Sequence, residues 1–225
     1  MMRAAKLTIL VLLLLIIPFV SATTEDCNYD TSITLSADLI CNDGLNITST
    51  GELNTNDYNI TVSGNAINID QYANLTITSS SNVSANDVDV NINGTFNASA
   101  TSNNIELGSL VVNNGGTYDA TSGTTFITSR NPSLNRVDFN SGSTLTHNSG
   151  TFELIGSPGV AFFDNPAGVT FWNVVQNSTS KASANDHLDI NGDLTVVQGE
   201  FELQSTSDVA GDVLVQGGTL DLEDG

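Results

Sequence analysis

Apolar and polar residues alternate along most of this chain in short runs that seldom last beyond five residues. Ile33-Thr-Leu35, Leu45-Asn-Ile47, Ile60-Thr-Val62, Ile67-Asn-Ile69, Leu75-Thr-Ile77, Val88-Asp-Val90-Asn-Ile92, Leu194-Thr-Val196, Phe201-Glu-Leu203 and Leu220-Asp-Leu222 all follow it. A period of two puts the apolar residues of each run on one face, so each run predicts a short, half-buried strand. Asn, Asp, Gly and Ser fill the gaps and supply turns and left-handed backbone positions. After Ala22 no stretch sustains a period near 3.6, so no helix is expected.

The runs also recur as phrases. Gly192-Asp-Leu-Thr-Val-Val-Gln-Gly199-Glu-Phe-Glu-Leu203 returns nineteen residues later as Gly211-Asp-Val-Leu-Val-Gln-Gly-Gly218-Thr-Leu-Asp-Leu222. Gly108-Ser-Leu-Val-Val-Asn-Asn-Gly-Gly116-Thr-Tyr-Asp-Ala120 aligns without a gap at thirty-four with Gly142-Ser-Thr-Leu-Thr-His-Asn-Ser-Gly150-Thr-Phe-Glu-Leu154. Each copy is strand, glycine turn, strand. A fixed period of this kind marks a solenoid, in which each repeat buries its apolar face only against its neighbours. With coils of roughly 20 residues, about ten fit the chain and stack into a rod of about 45 Å at ~4.8 Å per rung. Leu, Val and Ile should line the interior, with Phe96, Phe126, Phe152 and Phe201 as larger fillers and Thr, Asn and Ser outside.

The ends set the context. Arg3 and Lys6 precede an apolar run from Leu7 to Val20, and Val20-Ser21-Ala22 ends in small residues. That is a secretory leader, expected to be cleaved after Ala22, because the run is short of the ~20 residues a spanning helix needs. A β-helix domain is expected over 23–225, with an N-terminal cap at 23–45 and coils over 46–225. The chain stops at Leu222-Glu-Asp-Gly225 straight after a repeat strand. We therefore expect either a continuation beyond Gly225 or a next coil from another polypeptide.

Charge narrows the partners. Residues 23–225 keep only Arg130, Arg136 and Lys181 against 25 carboxylates, a net charge of −22. Such a surface repels nucleic acid and anionic lipid, whose binding depends on Lys and Arg. It is compatible with calcium, with high salt, or with solubility by self-repulsion. Cys27 and Cys41 are the only cysteines, and outside the cytoplasm a disulfide between them is expected to steady the cap. No Cys/His cluster suggests zinc.

The opening, Cys27 through Ile33-Thr-Leu35, Asp38-Leu39-Ile-Cys41 and Gly44-Leu45-Asn-Ile47, then Leu53-Asn-Thr-Asn-Asp-Tyr-Asn-Ile60-Thr-Val-Ser-Gly64, resembles secreted right-handed parallel β-helix proteins of the pectin-lyase-like superfamily. Val169-Thr-Phe-Trp172-Asn-Val-Val, Leu188-Asp-Ile-Asn-Gly192-Asp-Leu-Thr-Val and Gly218-Thr-Leu-Asp are similar to repeat regions of prokaryotic surface and adhesin-like proteins. The resemblance implies an all-β solenoid, but rung chemistry is shared without shared function.

A pectate-lyase-type site needs aspartates for calcium and an Arg or Lys base, and no such phrase surrounds Arg130, Arg136 or Lys181. The phrases expected of a polygalacturonase-like hydrolase are absent. Asp186-His187 is a polar step without a nucleophile partner. Asp89-Val-Asn91-Ile-Asn93-Gly94 begins like a calcium loop but has Ala100 where the twelfth-position Glu belongs, so it reads as a rung. Two segments, 128–136 and 156–179, break the rhythm. The second holds Phe162, Phe163 and Trp172, and is expected to be a wider coil with packed loops or, alternatively, an exposed glycan platform. Seven sequons, at Asn46, Asn59, Asn74, Asn82, Asn93, Asn97 and Asn177, are about what chance gives in so Asn-, Ser- and Thr-rich a chain.

The expectation is a non-catalytic, secreted or cell-surface β-helix acting as stalk or adhesion module. Its expected partners are surface glycans or envelope proteins, with no cofactor required. A polysaccharide lyase or hydrolase, or a carbohydrate-binding module, is the alternative on the same scaffold.

Overall fold

In the computed structural model, residues 23–24, 27–128, 137–155 and 161–222 are described. They form an all-β parallel solenoid of about nine turns. Each turn contributes a short strand to each of three walls, and the pairing from coil to coil is parallel. Strands at Leu39–Cys41, Ile60–Val62, Thr124–Ile127, Thr151–Leu154, Asn173–Gln176, Leu194–Val196 and Val213–Val215 belong to the first wall. Asn28–Tyr29, Leu45–Ile47, Ile67–Ile69, Val137–Phe139, Ala161–Asp164, Lys181–Ala184, Glu200–Leu203 and Thr219–Leu222 belong to the second. The strands Val83–Ile92 and Ile105–Val112 run through the corner and serve both walls.

The third wall is two sheets. Six strands, from Ser32–Thr34 to Thr144–Thr146, make one; Thr170–Phe171, Asp189–Ile190 and Asp208–Val209 make the other. At the seam between them the His147 and Trp172 rings stack, 5.4 Å apart and 27° from parallel.

Register explains the repeats. Leu194 lies opposite Val213, so the nineteen-residue phrase is one full turn. The thirty-four-residue phrase is not. Tyr118 lies opposite Leu145, and Thr125 opposite Phe152, both offsets of 27. The phrase therefore repeats across a turn and a third, matching the corner between the second and third walls with the corner between the third and first. The 27-residue coil is the widest, and it contains 129–136; the coil from Phe152 to Val174 keeps an ordinary length. On the second wall the step from Val137 to Phe163, which contains 156–160, is also wide, at 26 residues.

The interior is the apolar half of most alternations; Ile33 and, in the last coil, Val213, Val215 and Leu222 are exposed. Leu39, Leu45, Ile47, Leu53, Ile60, Ile67, Ile69, Leu75, Val90 and Ile92 are buried in the lower coils. Higher up Phe96, Tyr118, Phe139, Phe152, Phe163, Phe171 and Phe201 take over. Their rings meet edge to face at 5.1 to 6.1 Å, the arrangement their quadrupoles favour. Phe126, expected inside, points outward instead. Thr125 takes the inward position, where its hydroxyl pairs with the buried Tyr118 hydroxyl at 2.9 Å. A buried phenol without that partner would be costly, and burial also pushes Tyr118 well above the usual tyrosine pKa.

Corners demand close approach of backbone. A Cβ on Gly108 would stand 2.4 Å from the Val88 nitrogen, so only glycine lets these coils touch there. The Cys27–Cys41 disulfide is present and buried. It lies in the first coil, whose strands Leu39–Cys41 and Asn28–Tyr29 are already laddered to the coil above.

Candidate functional site

The outward positions of the second wall form a ladder of like residues. Asn46 donates its amide to the Asn28 side-chain oxygen at 2.8 Å, Asn68 to Asn46 at 2.8 Å, and Asn91 to Asn68 at 3.0 Å. Above Val111 the same column carries Asp138 and Asp164, opposite one another in register. Asn140 donates to Asp138 and Asn185 to Asp164. Partial burial and the nearby Asp164 carboxylate push the Asp138 pKa up from its ordinary value.

Lys181, the one Lys or Arg among the described residues, is not poised as a base. Its ammonium sits 3.0 Å from Glu200 and even closer to Glu202. Hydrogen bonds to both carboxylates hold it protonated, and the Lys181 bond with help from Ser183 lowers Glu202 to about 2. Glu200, Glu202 and Asp221 bring carboxylate oxygens within 4.8 Å of one another. Lys181 already supplies the countercharge on one side of that trio.

The remaining sequence candidates disperse. Asp186 accepts the Asn165 N–H at 3.0 Å, whereas His187 meets the Thr206 carbonyl, so the Asp-His step is a brace between coils. Asp89 accepts from Ser109 and Asn91 belongs to the amide ladder, so the calcium-like phrase is a rung. Phe163 is 1% exposed and packs against Phe171 and Phe201; it cannot join a surface platform. Trp172 is half-buried under its stack with His147. Arg130, Arg136, residues 1–22 and the Phe162 side chain lie outside the described residues.

Among the sequons, Asn46 is tied into the ladder, Asn59 accepts from Asn82, and Asn97 accepts from Ser99. Asn177 bridges Glu153 and Gln198. Asn74 is half-buried on the third wall, and Asn82 is the most open of the set.

One depression was not foreseen. It lies where the second wall turns into the third, with a volume of about 490 Å³, and is lined by Ser49, Asp70, Gln71, Tyr72, Asn93 and Asn114. The turns there stack as a column. Those at 48–51, 70–73, 113–116 and 140–143 each have four residues and close with a first-to-fourth backbone bond of 2.8 to 3.0 Å. The one at 93–94 has only two. Both of its N–H groups donate to the Ile69 carbonyl, cutting the corner short. Gly94 permits this, because a Cβ there would stand 2.3 Å from two carbonyl oxygens. The missing residues leave a notch between the turn that bears Tyr72 and the turn that bears Asn114.

Tyr72 is 73% exposed and has φ of +71°. The third position of the next two four-residue turns is Gly115 and Gly142, also at positive φ. Such a turn calls for glycine at that place, and a bulky side chain there is strained. The signal was readable: Asp70-Gln-Tyr-Ala73 stands where Asn113-Asn-Gly-Gly116 and Asn140-Ser-Gly-Ser143 stand higher up.

No known protein family, curated protein or solved structure matches the chain.

Proposed function

We propose that this chain is a non-catalytic, secreted or surface-attached β-solenoid that serves as a structural stalk and adhesion module. The observation that carries the reading is the Asn28–Asn46–Asn68–Asn91 ladder on a wall of continuous parallel pairing. A repeated neutral face of this kind suits contact along the lower coils of the rod. Turns stacked at ~4.8 Å give a column of about 45 Å. Export by the leader at 1–22, a right-handed coil and kinship with pectin-lyase-like or adhesin-like proteins belong to the same proposal. Surface glycans or envelope proteins are the partners proposed.

The test has two arms. Small-angle scattering should give a rod of about that length, and the immobilised protein should retain cells or envelope fractions. Incubation with acidic polysaccharides and calcium should release no unsaturated ends or reducing sugars. Turnover lost on substituting Lys181, Arg130 or Arg136 overturns the reading in favour of a lyase or hydrolase.

A further inference from the structure

We infer that the notch at 93–94 is a saccharide subsite that takes one uncharged pyranose ring against the face of Tyr72. Four observations converge. First, the chain places Tyr where its own neighbouring turns place Gly115 and Gly142, at a backbone conformation that favours glycine. Strain of this kind persists where the surroundings over-determine it, and it gathers at ligand sites. Here it holds an aromatic ring out at the corner. Second, the shortened turn beside it opens a depression of about 490 Å³, within the range of small-molecule sites. Third, the rest of the lining is a hydroxyl, a carboxylate and three amides: Ser49, Asp70, Gln71, Asn93 and Asn114. Amides both donate and accept, as sugar hydroxyls do, and Asn114 is pre-set by donating to the Ser141 carbonyl at 2.7 Å. Fourth, no basic residue lines the site, and the chain carries a net charge of −20, so an anionic sugar is repelled.

Two sources can deliver the ring. A neutral glycan on a partner surface is one, and that choice deepens the adhesion reading and rests on it. A sugar attached to Asn93 is the other, since Asn93 lines the notch and opens the sequon Asn93-Gly94-Thr95. The chemistry at Tyr72 is shared.

The experiment titrates unglycosylated protein with neutral oligosaccharides of glucose, mannose and N-acetylglucosamine, followed by amide chemical shifts. Acidic oligosaccharides serve as the charged control. Shifts at Tyr72, Asn93 and Asn114 with a neutral sugar are expected. Tyr72→Ala and Tyr72→Gly should weaken binding at least tenfold, and Tyr72→Phe should retain it. Tyr72→Gly should melt no lower than the parent, which separates loss of the ring from loss of fold. A second arm uses protein secreted from a glycosylating host. If Asn93 is occupied and free sugar no longer binds until Thr95→Ala removes the sequon while leaving the Asn93 amide in place, the attached sugar is the source. Absence of shifts with every neutral sugar, or full binding by Tyr72→Ala, overturns the subsite. Either result leaves the stalk reading standing, because that is decided by rod length and cell retention.

Discussion

The lower and upper coils of this column solve the same stacking problem with different chemistry. Up to about residue 92 the interior is mainly Leu, Ile and Val, and the outward ladder on the second wall is asparagine upon asparagine. From Val137 upward phenylalanines take the largest share of the interior beside smaller aliphatic residues, and several outward positions are carboxylates matched to unlike residues. Asn185 serves Asp164, Asn177 serves Glu153, and Lys181 serves Glu200 and Glu202. The difference follows from what each group can do. An amide donates and accepts, so identical rungs satisfy one another indefinitely. An ionised carboxylate only accepts, so it needs an unlike neighbour on the next rung. Where it is partly buried and meets its own kind, as Asp138 meets Asp164, its pKa rises.

The largest effect should come from breaking the aromatic half. Phe171 touches Phe139, Phe152 and Phe163. Phe171→Ala should cost about 3–5 kcal/mol in urea unfolding. Because coils contact only their neighbours, hydrogen exchange should show the loss concentrated above residue 137. Uniform loss along the column would erase the distinction between halves. Next, Cys27→Ser with Cys41→Ser should lower stability by about 3 kcal/mol, for a loop of separation 14. The first coil should fray, and light scattering should detect end-to-end association; an unshifted melting point and only monomers would remove the disulfide from the account.

Asn68→Leu deletes two ladder bonds and should cost roughly 1–2 kcal/mol, equally at pH 7 and pH 4. A pH-dependent cost would mean that the amide ladder is coupled to the carboxylates. The smallest effect is the acid response of the upper half. Glu202 titrates at about 2 in the folded chain against an ordinary 4.5. Its contribution is therefore complete above pH 4.5 and drains away as pH falls toward 2. Asp138 works the other way: its value is raised by burial first and by the Asp164 charge second, so protonation relieves both and offsets part of the loss. Lys181→Met should flatten the slope at coils 181–222 and leave the lower coils unchanged.

Much of this was readable from alternation alone, because a period of two names the inward residues directly. Leu45-Asn-Ile47 and Ile67-Asn-Ile69 lie as their pattern requires. Phase was harder where the pattern is ambiguous. In Thr124-Thr-Phe-Ile127 one of Thr125 and Phe126 must face in, and hydrophobicity favours the phenylalanine. The structure chooses Thr125, because Ile127 shares its phase and the Tyr118 hydroxyl needs a partner. Phe163 misled for the opposite reason, since an aromatic cluster in an irregular stretch looks exposed until its register is known. The thirty-four-residue likeness was real as chemistry and wrong as register, because all three corners use one strand–glycine–strand phrase. Tyr72 escaped notice for want of a frame: its oddity appears only when the corner turns are laid one above another.

The parallel pairing that joins each coil to the next has a mechanical consequence. Those hydrogen bonds point along the column, so tension between its two ends opens them one rung at a time rather than shearing a whole sheet together. A folded coil contributes ~4.8 Å of height, whereas its ~20 residues pulled straight span roughly 70 Å. Under load the molecule would pay out length in small, even steps, starting from whichever end is gripped, and would recoil when slackened. A tether built this way yields gradually where a rigid post would snap.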